Sequence, residues 1–291
     1  MALLLRYDLL SAFRVRAWLR VEQGSAHDAM LHVLLGCVPH RRALPVGVDR
    51  QPVWRDPAGV LRLDAVEVSH TADDYVFDVV LSEPDGAAVA RWEGLRLRAT
   101  TPPQRDGTLP ARLVGPWLSR RLVECGLHER VELVTAPGRR TFGAATRVLQ
   151  QLTETVAGHD GPHASASYAH DTLLLGVAED PIGIDWESVP AIPAHAGAVP
   201  CDVHDHPVAE LLADKLGEDP ALARLRVWTA REALSKLGYG HSEPLRIDRI
   251  AEDGLTILRA GDGQVATAKV HTIDEHDAQV KVAAVAPSRP S

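Results

Sequence analysis

Apolar and polar positions fall into two stretches of different texture, separated by a break at Ala99-Thr-Thr-Pro-Pro-Gln-Arg-Asp-Gly-Thr-Leu-Pro110. Adjacent prolines, a glycine and polar residues sustain neither a helix nor a central strand. The break is therefore read as a linker, with one domain over residues 1–103 and a second over 110–291. Before it, Ala29–Val38 (AMLHVLLGCV) is apolar on most sides, which predicts a buried helix closed by Pro39 and N-capped by Asp28. Strands are predicted at Leu61–Val68, Tyr75–Leu81 and Ala88–Arg98, with Pro84-Asp85-Gly86 as a hairpin turn between the last two.

After the break, helices and strands mix. Phe142–Val156 has the periodicity of an amphipathic helix. Short strands are predicted at Ala164–Tyr168, Thr172–Ala178 and Ile182–Trp186. A long helix begins at Asp219-Pro220, an N-cap followed by proline, and stops at Gly238. Strands at Leu255–Arg259, Val265–Val270 and Val280–Val285 finish an α+β domain, and the tail Pro287–Ser291 is expected to fray.

Composition narrows the function classes. A net charge of −8 argues against nucleic acid as a partner, which calls for a basic face. No apolar stretch reaches the roughly 20 residues of a membrane span, and Met1-Ala-Leu-Leu-Leu5 lacks the flanks of a signal peptide. The cysteines Cys37, Cys125 and Cys201 are odd in number and widely spaced. They predict reduced, buried thiols and a cytoplasmic protein rather than a disulfide framework.

Two motifs carry candidate chemistry. In Pro181-Ile-Gly-Ile-Asp-Trp-Glu187, Asp185 and Glu187 share one face of a strand. Side-by-side carboxylates repel unless they are solvated or share a cation, and oxygen ligands of this kind suit Mg²⁺. In Trp228-Thr-Ala-Arg-Glu-Ala-Leu-Ser-Lys236, Trp228, Glu232 and Lys236 recur at i, i+4 and i+8 on one helix face. Glu232 is thus placed to offer a third carboxylate to the same cation, and Lys236 a positive charge to a phosphate.

The order and spacing of these motifs resemble the 4′-phosphopantetheinyl transferase superfamily, whose signature is a (V/I)G(V/I)D strand followed by a W-x-x-K-E-x-x-x-K helix. The resemblance implies Mg²⁺ held by Asp185, Glu187 and Glu232 against the pyrophosphate of coenzyme A, the donor. It implies Lys236 on the phosphates, with Glu232, or a water it orients, taking the proton of an acyl carrier protein serine. Arg231 stands where the family has lysine. Tyr168 stands where many members have a histidine that binds the nucleotide's phosphate, and His170 is a substitute two residues on. No basic Gly-Lys/Arg-Pro element precedes the strand, and Arg139, Arg140 and Arg147 are the remaining sources of positive charge.

The first segment resembles the second hot-dog half of polyketide synthase dehydratases, through Asp28-Ala-Met-Leu-His32, Leu44-Pro45 and the strand Val89–Arg98. A complete dehydratase site also needs a histidine in H-x-x-x-G-x-x-x-x-P, which this sequence does not contain. Half of a double hot-dog followed by a transferase resembles the C-terminal end of iterative enediyne polyketide synthases, which implies other synthase domains as partners. Two alternatives stay open, a decayed transferase that only docks a carrier protein and a partial dehydratase. Cys201-Asp-Val-His204-Asp-His206 is read as a solvated loop rather than a metal site, and Arg120, Arg121 and Arg130 as a basic set available to an acidic carrier.

Overall fold

The computed structural model describes residues 2–55, 57–103, 108–137, 146, 149–150, 152, 162–170, 172–189, 201–273 and 278–288. The expected helix over Phe142–Val156, the tail beyond 288 and the residues Arg139, Arg140 and Arg147 lie wholly or largely outside them. Two compact units emerge: residues 1–104 with 115–120, and residues 105–114 with 121–291.

The first unit is an antiparallel sheet with one helix. Its strands are β1 (Ala2–Leu10), β2 (Arg14–Val21), β3 (Ala43–Gly47), β4 (Arg50–Trp54), β5 (Gly59–His70), β6 (Asp74–Ser82) and β7 (Ala88–Ala99). They run in the order β1-β2-β5-β6-β7-β3, with β4 also on β7. Along β2, Val15, Ala17, Leu19 and Val21 point into the core while Arg16 and Arg20 face outward, the period of two that a one-sided sheet demands. Strands β5 to β7 fall where the sequence places them. Strands β1 to β4 were not anticipated, although β2 carries a clean alternation.

Helix α1 runs over Ala26–Leu35, three residues earlier than the sequence reading, and Ser25 rather than Asp28 holds the N-cap position. The reason is the buried stripe Ala26, Ala29, Met30, Val33 and Leu34, which repeats at i, i+3, i+4, i+7 and i+8 and packs as one face. Asp28 therefore sits in the first turn with its side chain exposed.

The unit also takes in residues 115–120 of helix α2 (Val114–Glu124). Arg120 is 2% exposed. It donates to Glu67 at 3.1 Å and to the Cys37 carbonyl at 3.0 Å, and it lies over the rings of Phe13 and Tyr75. Buried charges persist only when paired and hydrogen-bonded, and both conditions hold here.

The second unit holds a three-stranded antiparallel sheet, β10-β11-β9, from β9 (Val131–Pro137), β10 (His163–Ala169) and β11 (Thr172–Ala178). A larger sheet orders β12 (Ile182–Ser188), β16 (Ala278–Pro287), β15 (Gly263–Ile273), β14 (Thr256–Ala260) and β13 (Arg246–Ile250). The end of the expected linker is itself a strand, β8 (Thr108–Pro110), paired in parallel with β15. Helices α3 (His206–Leu216) and α4 (Pro220–Ser235) pack on the larger sheet through Ala209, Leu212, Val227, Ala230, Ala233 and Leu234. The Asp219 side chain accepts from the Ala221 amide, so α4 starts at the predicted cap.

Candidate functional site

In the second unit, the chemistry-bearing strand and helix meet at a glycine. A Cβ on Gly183 would lie 1.9 Å from the Ala233 carbonyl oxygen. Only a residue without a side chain lets α4 approach β12 this closely. The approach brings the residue after the last turn of α4 beside the residue two positions beyond the glycine. Lys236 Nζ accordingly donates to Asp185 Oδ1 at 3.1 Å and also to the Ile184 carbonyl.

Asp185 is 6% exposed, and Ser167 Oγ donates to its Oδ1 at 3.1 Å. One strand position earlier, Ser165 Oγ accepts from the Ile184 amide at 3.0 Å. These two serines were missed by the sequence reading. The signal was present in the alternation Ser165-Ala166-Ser167, which puts both hydroxyls on one face of β10. The same alternation turns Tyr168 to the opposite face, away from the one that carries Ser167. His170 is exposed in the turn after β10, at a left-handed φ of 51°.

The expected metal set does not assemble. Among the described residues no three His, Cys, Asp or Glu side chains are gathered closely enough to hold a metal ion. Asp185 and Glu187 share a strand face, but two residues of strand separate them by about 6.6 Å, and Glu232 is half-buried one helical turn before Lys236. The charge that Asp185 meets is the Lys236 ammonium. One oxygen is left over, since Asp185 Oδ2 is buried and makes no hydrogen bond. A single such oxygen fits Mg²⁺, which is commonly bound by one or two carboxylates plus waters and substrate phosphates.

Arg231 is not turned toward this site. Its guanidinium is 4% exposed and grips Asp205 at 2.6 and 2.7 Å. A planar fork against a carboxylate explains arginine rather than lysine here. Asp205 also accepts from the Leu245 amide at 3.1 Å. The stretch from Cys201 to His206 is exposed at Asp202, Val203, His204 and His206, as a solvated segment should be, but it also delivers the buried Asp205 carboxylate. The Cys201 thiol is pushed up to about 11 by burial and then by the nearby Asp205 charge.

Two further expectations are corrected by burial. Arg120 and Arg121 do not form a surface patch, since Arg121 is buried against Asp253 at 2.6 Å. Arg130 is half-exposed but paired with Glu132 at 3.3 Å. Trp228 packs with Leu222, Leu225, Val189 and Val282, so its place in the motif is a packing role.

The first unit offers a different kind of site. Asp28 and His32, one turn apart on α1, line a cleft of about 540 Å³ together with Tyr7, Ser25 and Leu19. His32 Nδ1 lies 2.9 Å from the Asp28 carbonyl oxygen, which orients the ring and leaves Nε2 outward.

No curated protein matches the chain. Among solved structures, a trans-acyltransferase polyketide synthase enoyl-isomerase aligns at 17% identity and TM-score 0.29, covering 33% of this chain and 44% of that one. A mutant thioesterase from Pseudomonas aeruginosa aligns at 15% identity and TM-score 0.27, covering 32% and 78%. An acyl-CoA thioesterase II from Mycobacterium marinum aligns at 11% identity and TM-score 0.25, covering 99% and 96%. None of these likenesses bears on chemistry. The matching family model is described as an N-terminal dehydratase domain, whereas the Asp28–His32 motif pointed to the second hot-dog half. Over residues 25–106 the first unit, an antiparallel sheet with one helix, is similar to the polyketide synthase dehydratase N-terminal domain.

Proposed function

We propose that this chain is a polyketide synthase component in which a dehydratase-type hot-dog unit is joined to a 4′-phosphopantetheinyl transferase unit. The match over residues 25–106 supports the synthase setting. For the transferase reading, the observation that carries it is the crossing at Gly183, which places Lys236 on Asp185. A glycine and an aspartate two residues apart on β12 meet a lysine 51 residues beyond the aspartate for a structural reason, and the strand–helix signature calls for such a site.

Phosphopantetheine transfer breaks one phosphoanhydride bond of coenzyme A. The carrier serine oxygen attacks the phosphorus that bears the pantetheine arm, and 3′,5′-bisphosphoadenosine leaves. Such reactions depend on positioning and charge neutralisation more than on covalent help. Asp185 Oδ2 would hold Mg²⁺, which neutralises pyrophosphate charge when bound. Lys236 reaches from the end of α4 to steady the same phosphates. Glu232 is the residue assigned to receive the serine proton. Incubating the chain with apo carrier protein, coenzyme A and Mg²⁺ is expected to add one phosphopantetheine, read by intact mass. Full transfer by Lys236→Ala and Asp185→Ala would overturn the assignment.

A second reading concerns the first unit and rests on Asp28 at the mouth of the 540 Å³ cleft. In it, Asp28 faces the hydroxyl of a 3-hydroxyacyl thioester, and a separate hot-dog half brings the histidine motif that this sequence lacks. Dehydration is then expected only when such a half is added. Turnover that survives Asp28→Asn would contradict it.

A further inference from the structure

The two serines of β10 reach consecutive residues of β12. Ser165 Oγ accepts from the Ile184 amide at 3.0 Å, and Ser167 Oγ donates to Asp185 Oδ1 at 3.1 Å. Strand β10 is itself held in register by β11, with Ser165 opposite Gly176 and Ser167 opposite Leu174. Both hydroxyls therefore stand on short stems carried by a fixed strand. The second donor to Oδ1 is of another kind. Lys236 places an ammonium at the end of a flexible four-carbon stem, and its side chain is 34% exposed. The outcome is a carboxylate with two unlike oxygens. Oδ1 carries two donors, enough to occupy its two lone pairs, while the buried Oδ2 carries none.

We propose that Ser167 is a positioning residue that locks the Asp185 carboxylate so that Oδ2 alone is offered to a divalent cation, and that this lock sets a preference for Mg²⁺ over Ca²⁺. This rests on the transferase reading of the second unit and deepens it to the cation the site selects. A carboxylate free to turn about its Cβ–Cγ bond offers a cation either oxygen, or both. Turning Asp185 breaks the bond from Ser167, so its second oxygen stays engaged. Ca²⁺ gathers about six to eight oxygens and readily takes a carboxylate through both, whereas Mg²⁺ needs near-octahedral geometry and keeps several waters. A carboxylate limited to one oxygen suits Mg²⁺ and serves Ca²⁺ poorly. Lys236 can swing toward a phosphate without releasing this lock, because the serine hydroxyl holds Oδ1 on its own.

The test follows Mn²⁺ by electron paramagnetic resonance in the full chain with coenzyme A, with coenzyme A alone as the baseline. Bound Mn²⁺ is displaced by Mg²⁺ in one series and by Ca²⁺ in the other. The parent is expected to favour Mg²⁺. Ser167→Ala is expected to bind Mg²⁺ about tenfold more weakly, the lower end of what losing a partner of a metal ligand costs, with a smaller change for Ca²⁺, so that the preference narrows. Ser167→Thr keeps the hydroxyl and is expected to restore it, with circular dichroism the same in all three chains. Should Ser167→Ala unfold, Ser167→Cys carries the same expectation, since a thiol is a weak donor. An unchanged preference in the folded alanine or cysteine chain, an equal loss in Ser167→Thr, or a parent that binds no Mn²⁺ or favours Ca²⁺ would overturn the proposal. Failure of the transferase reading shows separately, as the expected Mg²⁺ preference and its loss beside an apo carrier protein that the parent leaves unmodified.

Discussion

Asp28 in the first unit and Asp185 in the second are the carboxylates on which the two readings rest, and their surroundings are opposite. Asp28 is exposed in the first turn of a helix, beside an open cleft. Asp185 is buried, bonded by Ser167 and Lys236, and keeps one oxygen unsatisfied. An exposed acid is cheap to hold and depends on something else to complete its site. A buried acid is expensive to hold, and its partners are set by the backbone crossing that buries it. The comparison predicts that changes at Asp28 separate function from stability, while changes around Asp185 disturb both.

The largest effects belong to the buried arginines that hold each unit. Removing one partner of a buried ion pair costs about 3–5 kcal/mol, because the other charge stays buried alone. Arg120→Ala is expected to lower the unfolding free energy of the first unit, read from urea denaturation, by that amount, and Arg231→Ala that of the second. A transition that moves by under 1 kcal/mol in either would show the surviving carboxylate finding water. Next comes Gly183→Ala, whose new methyl group meets the Ala233 carbonyl. Overpacking of this kind costs about 1–3 kcal/mol, and separating β12 from α4 should also remove phosphopantetheine transfer. An active, fully stable Gly183→Ala chain would break the link between the crossing and the site.

Asp28→Asn sharpens the contrast from the other side. A surface change away from packing usually stays within about 0.5 kcal/mol, so its thermal midpoint should match the parent while the dehydration expected with the added hot-dog half is lost. The smallest effect concerns Cys201. With its thiol pushed up to about 11 by burial and Asp205, little thiolate exists at pH 8. Alkylation by iodoacetamide is expected to run about two orders of magnitude below that of an unperturbed thiol and to rise with pH toward 11. A rate equal to that of a free cysteine peptide at pH 8 would contradict the buried setting.

What the sequence made legible follows from how local each feature is. Strand β11 and the start of α4 were readable because their boundaries are set by nearby residues, a short continuous apolar run and the Asp219-Pro220 cap. Helix α1 was misplaced because Asp28 looks like a cap, while the deciding stripe begins at Ala26 and depends on the sheet beneath it. At the site, Asp185 and Lys236 were each singled out by motif spacing, one for a cation and the other for a phosphate, and their contact with each other was not anticipated. Ser167 was not, since its contact spans 18 residues and two strands. Arg231 illustrates the limit most clearly. Within the motif it stands in for a lysine, yet its partner is Asp205, 26 residues away in a stretch that reads as loop.

The transferase reading is tested most directly by the intact mass of an apo carrier protein incubated with this chain, coenzyme A and Mg²⁺. The account predicts one added phosphopantetheine, lost in Asp185→Asn and Lys236→Ala chains that remain folded. An unmodified carrier under the folded parent chain, across several carrier proteins, would contradict it and leave Asp185 and Lys236 as a structural ion pair.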